Sequence, residues 1–256
     1  MYLPVPSQPD CAAAWREAVR AVDAAPGHQA YNVVIDVADP VANATGAHPG
    51  IAIVDAFLTP RAKPIDTVSN TIFPSSLYMR HGAPAFFEVF STRVLPKVRR
   101  GERWSGYYFE RMTNYPVVAG DPPNQLWDIV TRMKNSGVKA LNKFELSLFD
   151  PVRDVNNSPY GGQCLSFLSF KVVPGTPRKV ILTAQYRNHY YVEKLLGNLI
   201  GLGRLMSFVA REAELAVGPL TVISTHATID QPGGASRAEL RALLNQFDQT
   251  MVLLAA

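Results

Sequence analysis

The feature that most constrains the fold is a long apolar stripe in the C-terminal third of the chain. Over residues 191–215, apolar side chains recur at helical spacing: Val192, Leu195, Leu196, Leu199, Leu202, Leu205, Met206 and Val209. A helix with so broad an apolar face has to be covered by other elements, so the pattern predicts a central core helix. Gly197, Gly201 and Gly203 lie within this segment, and their spacing indicates close packing against a neighbour.

Short β-rich runs on either side of this helix predict a sheet. The runs over residues 144–149, 165–173 and 180–186 are apolar and bounded by turn residues. Pro174-Gly175 between the last two predicts a tight turn, and therefore an antiparallel pair. Residues 221–224 add one more predicted strand, and residues 125–136 read as an amphipathic helix.

The remaining segments complete a single predicted α+β domain over residues 1–256. The N-terminal half predicts, in order, a helix over residues 9–25, strands over 31–37 and 51–57, a loop over 58–80, and a helix over 83–99. Pro96 is expected to kink or end the last of these helices. Near the C-terminus, Ser236 and Glu239 have the spacing of a capping box ahead of a helix over 240–247.

Composition narrows the classes of function. With 47% apolar and 18% charged residues, the chain has the balance of an ordinary globular domain. No apolar run reaches the roughly 20 residues of a membrane span, so we expect a cytoplasmic protein without membrane contact. The net charge of +4 is small and scattered. It favours anionic small ligands and does not argue for nucleic acid. Two cysteines make no disulfide framework.

Familiar catalytic motifs are missing from the sequence, which contains neither a standard phosphate-binding glycine loop, nor a serine elbow, nor cysteines and histidines at metal-ligand spacing. What remains is a linear order: Cys164 after a Pro-Tyr-Gly-Gly turn, Arg187 at a strand end, Asn198 on the apolar helix and His226 after another strand. Each has a structural interpretation, as a core thiol, a surface charge, a helix polar group and a satisfied loop residue. The structural interpretation fits Asn198 least well, because an amide on so apolar a helix needs a hydrogen-bond partner.

This order resembles the thymidylate synthase and pyrimidine hydroxymethylase family over residues 125–230. SPYGGQC resembles the family's Pro-Cys-His motif and places Cys164 on its nucleophile. QYRNHYYVEKLLGN resembles Gln-Arg-Ser-x-Asp-x-x-x-Gly-x-x-x-Asn, with Arg187 and Asn198 in the required register. STHATID resembles Asp-Ala-His-x-Tyr and places His226 on the family histidine.

The resemblance implies a thymidylate synthase-like domain, with a mixed or antiparallel sheet packed by a long central helix. It also implies a homodimer that transfers one carbon to C5 of a uracil-type nucleotide, dUMP-like or UMP-like. Cys164 would add to C6 of the ring, and Glu88 would stand for the family's catalytic glutamate. The implied substrate-binding residues are Gln185, Asn188, Arg187 at the phosphate, Asn198 at the base, His226 at the sugar and Lys143 in the partner subunit's phosphate site.

Departures from the family cluster on the cofactor side. The family aspartate that binds the pterin of 5,10-methylenetetrahydrofolate is Tyr190 here, a family glycine is Lys194, and the histidine after the nucleophile is Leu165. Folate therefore remains the implied cofactor with an altered binding pattern. Three alternatives stay open: methylation against hydroxymethylation, the same thiol addition on another heterocycle or without folate, and a nucleotide-binding relative without catalysis.

Overall fold

The structure, a computed structural model, describes residues 2–99, 107–115, 117, 119–135, 137–155 and 162–255. Its strands are β1 (Leu3–Gln8), β2 (Gln29–Val37), β3 (Phe144–Ser147), β4 (Leu165–Val173), β5 (Lys179–Tyr186), β6 (His189–Tyr190) and β7 (Ala216–Thr228). Its helices are α1 (Cys11–Asp23), α2 (Pro49–Leu58), α3 (Ile65–Ile72), α4 (Ser75–His81), α5 (Ala85–Val89), α6 (Leu95–Val98), α7 (Tyr108–Thr113), α8 (Gln125–Lys134), α9 (Leu195–Ala213) and α10 (Arg237–Ala255).

All seven strands belong to one mixed sheet in the order β1-β2-β7-β5-β4-β3, with β6 also beside β7. The pairs β2–β7, β3–β4 and β4–β5 are antiparallel, whereas β1–β2, β5–β7 and β6–β7 are parallel. The structure thus confirms an α+β fold with a mixed sheet. It also confirms the predicted antiparallel pairing across Pro174-Gly175, since Val172 pairs with Val180.

Helix α9 is the central core helix that the sequence predicts, and fifteen of its nineteen residues are buried. It packs on β5 and β7 and against α1, α3 and α8. It begins at Leu195 instead of residue 191, because the preceding turn is held by Asp230. The backbone N–H groups of Val192 and Glu193 donate to this carboxylate at 2.9 and 3.1 Å. At its C-terminus, Glu214 adopts the left-handed conformation that ends many helices.

The glycines of α9 let neighbouring backbone approach closely. A Cβ atom at Gly197 would lie 2.7 Å from Cβ of Val68, and one at Gly201 would lie 2.9 Å from the carbonyl oxygen of Ser69. Ser69 Oγ uses this proximity to donate to the Gly197 carbonyl at 2.9 Å. Helix α3 is therefore packed directly against the start of α9. This confirms the packing role predicted for these glycines.

Residues 51–57 form most of helix α2, so their prediction as a strand was wrong. Ile51, Val54 and Leu58 bury one face at i, i+3 and i+7. His48 caps the helix, because its Nδ1 accepts from the backbone N–H of Ile51 at 3.3 Å. A short run of apolar and β-branched residues fits either a strand or a helix, and here packing against α10 selects the helix.

Residues 58–80 contain helices α3 and α4, so the prediction of a loop was also wrong. Pro64 and Pro74 directly precede the two helices, a position where the missing N–H costs no hydrogen bond. The predicted helix over 83–99 is three consecutive segments, α5, a π-helical turn at Phe90–Val94 and α6, with Pro96 inside the first turn of α6. Strand β1 in the N-terminal segment was not predicted.

The other predicted elements are confirmed with shifted ends. Helices α1 and α8 and strands β2 to β5 match their predicted segments within two residues at each end, while β7 is much longer than residues 221–224. The capping box forms, because Ser236 N donates to Glu239 Oε2 at 2.8 Å and Glu239 N donates to Ser236 Oγ at 3.2 Å. The turn predicted at residues 159–161 lies outside the described residues. In the part of the chain that the structure covers, no helix has both the length and the apolar character to cross a membrane.

Replacing Gly203 by alanine is expected to destabilise the domain, although alanine favours helices. The added methyl group would overlap the carbonyl oxygen of Pro40, which is backbone and has little room to move. We expect a loss of about 1–3 kcal/mol in the free energy of unfolding, measured by urea denaturation. Gly46→Ala is the control, because a methyl group there meets nothing within 4 Å. Equal stability of the two variants would contradict the packing described for α9.

Candidate functional site

A cavity of about 220 Å³ lies where α3, α7, the start of β4, β6 and the start of α9 meet. Its lining combines polar and titratable groups with few apolar ones: Lys63, Val68, Thr71, Tyr108, Gly162, Gln163, Cys164, Asn188, His189, Tyr190, Lys194 and Asn198. A cleft with converging polar side chains is the usual form of a small-molecule site. Five of the residues singled out from the sequence lie on its wall: Cys164, Asn188, Tyr190, Lys194 and Asn198.

Cys164 precedes β4 and exposes part of its surface to the cavity. The N–H of Arg187 donates to the Cys164 carbonyl at 2.9 Å, so the end of β5 holds Arg187 opposite the cysteine. Burial raises the pKa of the Cys164 thiol, while the charges of Arg187 and Lys194 act in the opposite direction. The resting group is therefore a thiol with two cations nearby, and these cations stabilise the thiolate when it forms.

Arg187 is anchored beside the loop that carries Cys164. Its Nε donates to the Gln163 carbonyl at 3.0 Å. Gly162 has a φ of +73°, and a Cβ atom there would lie 3.0 Å from Nη2 of Arg187. Two features favour glycine at position 162: the positive φ angle of the backbone and the close approach of the Arg187 guanidinium. This contact explains Gly162, the second glycine of the Gly-Gly pair that precedes Cys164.

Two tyrosines beside Cys164 were missed by the sequence analysis. Tyr108 lines the cavity, and its hydroxyl is hydrogen-bonded to the backbone of Cys164 and Leu165. The buried hydroxyl of Tyr186 has no hydrogen-bond partner among the described residues. Burial raises the pKa of both phenols, so both are neutral near pH 7. No motif could have found Tyr108, because α7 comes to the cavity from a segment outside the sequence resemblance.

Asn198 finds the partner that its place on an apolar helix requires. Its amide nitrogen lies 2.9 Å from Nε2 of His189, and both side chains are buried. The other ring nitrogen of His189 lies 3.0 Å from Oγ of Ser224, to which the Tyr191 hydroxyl donates at 3.1 Å. Burial lowers the pKa of His189 to about 3, so the imidazole is neutral. A chain of four side chains thus runs from the core to the cavity wall.

His226 lies one hydrogen bond away from the cavity. Its Nδ1 is 2.7 Å from Oδ1 of Asn188, which lines the cavity, and its Nε2 is 3.1 Å from Oε1 of Gln29. Its ring also packs on Tyr31, with 5.3 Å between ring centroids. The structure therefore brings His226 to the same end of the sheet as Cys164 and Arg187, with Asn188 between the histidine and the cavity.

Five predicted site residues do not line the cavity: Arg187 and His226, each hydrogen-bonded to a lining residue, and Gln185, Lys143 and Glu88. Gln185 is exposed on the face of β5 opposite to the buried Tyr186. Lys143 is exposed just before β3, where its carbonyl accepts from Arg132. Glu88 is exposed on α5 and does not line the cavity. None of these last three is among the described residues that line the cavity.

The wall of the cavity formed by Lys63, Tyr190 and Lys194 is cationic. Tyr190 is 40% exposed, and Lys194 contributes an ammonium group that is also paired with Glu193 at 2.5 Å. Lys63 adds a second cation, and none of the described lining residues is an aspartate or glutamate. The described wall thus lacks the carboxylate that would pair with a pterin ring. Among the described residues there is also no group of three histidines, cysteines or acids placed to hold a metal ion.

Replacing Lys194 by methionine should slow alkylation of Cys164. Loss of the ammonium group removes one of the two charges that favour the thiolate, so the thiol pKa rises further. At a pH below the thiol pKa, a rise of one unit in that pKa lowers the thiolate fraction about tenfold. We therefore expect iodoacetamide labelling at pH 7.5 to slow by about two- to tenfold. Peptide mass spectrometry assigns the label, since Cys11 is fully buried with its own pKa raised. Lys63→Met serves as the control, because Lys63 lines the same cavity. Equal slowing of the labelling in both variants would contradict a specific effect of Lys194 on the Cys164 thiol.

Comparison of the chain with protein-family models gave no match, and comparison with curated protein sequences gave none either. The chemistry assigned to this cavity therefore rests on the geometry of its described residues together with the sequence register of Cys164, Arg187, Asn198 and His226.

Proposed function

We propose that the protein transfers a one-carbon group to C5 of a uracil-type pyrimidine nucleotide, as a divergent thymidylate synthase-like enzyme. The observation that carries the proposal is that Cys164 and Asn198, 34 positions apart in the chain, line one cavity, while the charge of Arg187 acts on the Cys164 thiol. The sequence resemblance predicts the same three residues for nucleophile, phosphate and base. The mixed sheet packed by α9 is compatible with that fold.

The thiol of Cys164 supplies the nucleophile that this reaction needs. C5 of a pyrimidine is a poor nucleophile until the thiolate adds to C6, which forms an S–C6 bond and moves the C5=C6 electron pair onto C5 and O4. C5 then bonds to a one-carbon electrophile. Loss of the C5 proton and expulsion of the thiolate break the S–C6 bond and restore the ring double bond. Arg187 and Lys194 stabilise the thiolate at both ends of this cycle.

The other residues around the cavity match the remaining parts of a nucleotide. Arg187 presents a planar guanidinium suited to bidentate pairing with a phosphate. The amide of Asn198 has both a donor and an acceptor for O4 and N3–H of uracil. Asn188 and His226 form a hydrogen-bonded pair at the cavity edge, where a sugar hydroxyl would lie. Gln185 stays a predicted substrate contact and Glu88 a predicted catalytic carboxylate, and neither lines the described cavity.

The described lining of the cavity does not match the carbon donor that the resemblance implies. The resemblance implies 5,10-methylenetetrahydrofolate, but the described lining has Tyr190 and two lysines where a pterin would need a carboxylate. These residues do not fit the pterin, so no step is assigned to it. This observation favours the alternative in which the same thiol addition proceeds without folate or on another heterocycle. A relative that only binds nucleotide is the third possibility. Methylation and hydroxymethylation differ in whether hydride or water reaches the new carbon.

Tritium release from C5 tests the proposal directly. We expect the protein to release tritium from 5-³H-dUMP or 5-³H-UMP, because addition of Cys164 at C6 makes the C5 hydrogen labile. The assay is run with and without methylenetetrahydrofolate and with the cytosine analogues. Cys164→Ser should abolish release, whereas Cys11→Ser, which changes a buried core thiol, should leave it unchanged. Release without folate dependence would favour the folate-free alternative, and tight nucleotide binding without release would favour the non-catalytic relative.

We further propose that the protein acts as a homodimer through the outer face of its sheet. On that face, Phe167, Gln185, Ile223 and Val34 lie in one row across β4, β5, β7 and β2. Phe167 is 36% exposed, and Ile223 and Val34 are half-buried. A second copy of the chain would cover this apolar row. It would also give Lys143 a route to the partner's phosphate site, as the resemblance implies.

Sedimentation equilibrium tests the dimer. We expect the wild-type protein at twice the chain mass of 28.1 kDa and Phe167→Glu at the single-chain mass, because a charge in the row cannot be desolvated without a partner. Val152→Glu is the matched control, since Val152 is 85% exposed and lies outside the sheet. A wild-type protein that stays monomeric at all concentrations would refute the dimer and the role of Lys143.

A further inference from the structure

His189 is a buried, titratable residue on the cavity wall with no part in the reaction described so far. It is 2% exposed, and both of its ring nitrogens have partners. Its ring is stacked on Tyr186, with 4.0 Å between centroids and 12° between planes, and Tyr191 meets it edge-on at 5.5 Å. The imidazole is therefore fixed in position and orientation, directly beside the residue expected to read the base.

The hydrogen bonds of His189 also define its tautomer. The Asn198 amide nitrogen can only donate, so Nε2 of His189 accepts at 2.9 Å. A neutral imidazole then carries its proton on Nδ1 and donates it to Oγ of Ser224 at 3.0 Å. The low pKa of the buried ring is consistent with a neutral imidazole. This arrangement uses one of the two N–H bonds of Asn198 and fixes which way its amide faces.

We propose that His189 is a positioning residue that fixes the amide of Asn198 and thereby sets the choice of pyrimidine base. With one N–H held by His189, Asn198 retains one N–H donor and one oxygen acceptor for the cavity. That pair is complementary to the O4 and N3–H edge of uracil. This base selection rests on the proposed nucleotide function, whereas the positioning of Asn198 does not.

The opposite orientation of the amide would favour cytosine. Turning the amide by 180° exchanges its donor and acceptor, which then match the N3 and N4–H edge of cytosine. That turn would place Oδ1 against Nε2 of His189. An oxygen at that position can only accept, so Nε2 of His189 would have to carry the proton. The amide of Asn198 therefore cannot turn unless the imidazole of His189 also changes its tautomer. Without His189, Asn198 can adopt either orientation, and the discrimination between uracil and cytosine should fall.

The positioning is tested without any nucleotide by ¹⁵N NMR of the full-length protein. We expect His189 to show a protonated Nδ1 and an unprotonated Nε2 from pH 5 to pH 8, and the Asn198 side-chain amide to exchange slowly with water. In His189→Leu, the Asn198 amide should exchange faster. A titrating His189, the Nε2–H tautomer, or an Asn198 amide unchanged in the variant would overturn the proposal.

Base selection is tested by competitive binding of UMP, dUMP, CMP and dCMP. His189→Leu should reduce the uracil preference about tenfold or more, by the loss of one oriented hydrogen-bonding pair. His189→Gln should restore most of it, because the Gln carbonyl oxygen can replace Nε2 as an acceptor. If wild type prefers uracil and both variants keep that preference, base selection by His189 is refuted. If wild type binds no pyrimidine nucleotide, base selection and the proposed function fail together, and the NMR result alone decides the positioning.

Circular dichroism separates these effects from misfolding. His189→Leu leaves the Asn198 amide nitrogen without its described partner and Ser224 with only the Tyr191 hydroxyl, and both groups are buried, so some loss of stability is expected. His189→Gln retains a polar group and should melt closer to wild type. Its binding ratio therefore decides the proposal even where His189→Leu does not fold.

Discussion

The burial of α9 between the sheet and α3 fixes most of the cavity. Its apolar face is so broad that β5, β7, α1, α3 and α8 all pack on it, and burial on this scale dominates folding energetics. The glycines at 197 and 201 bring α3 within reach of the helix backbone. Lys194 and Asn198 at the helix start are thereby placed against Val68 and Thr71 of α3, and the cavity forms at that junction. The site is thus a consequence of helix packing as much as of its own polar residues.

Much of this arrangement could be predicted from the sequence, where periodicity is strong. The stripe of α9, the β4–β5 pair and the capping box at Ser236 all have local patterns that tertiary contacts reinforce. Helices α2 and α3 could not be predicted in the same way. Ile51, Val54 and Leu58 have the residue types of a strand, and only their contact with α10 decides the outcome. For such short runs, tertiary packing overrides local preference.

The residues of the site likewise divide into those with a pattern in the sequence and those whose role depends on contacts across the fold. Cys164, Arg187 and Asn198 are recognisable because a register links them along the chain. Tyr108 and His189 are not, because neither a lone tyrosine nor a lone histidine between Asn188 and Tyr190 gives a signal in the sequence. Their roles depend on contacts across the fold, such as the 2.9 Å approach of His189 to Asn198. The cationic wall of Lys63 and Lys194 is likewise visible only once α3 and α9 are together.

The central claim is that Cys164 adds to C6 of a pyrimidine nucleotide. The most direct measurement is intact-protein mass spectrometry after incubation with 5-fluoro-dUMP or 5-fluoro-UMP, with and without methylenetetrahydrofolate. Once C5 has bonded to the one-carbon group, fluorine at C5 cannot leave as a proton does, so the thiolate is not expelled and the adduct persists. The account predicts a mass increase of at least one nucleotide that maps to the peptide containing Cys164 and is lost in Cys164→Ser. A protein that binds the fluorinated nucleotide tightly but remains unmodified in every condition would contradict it.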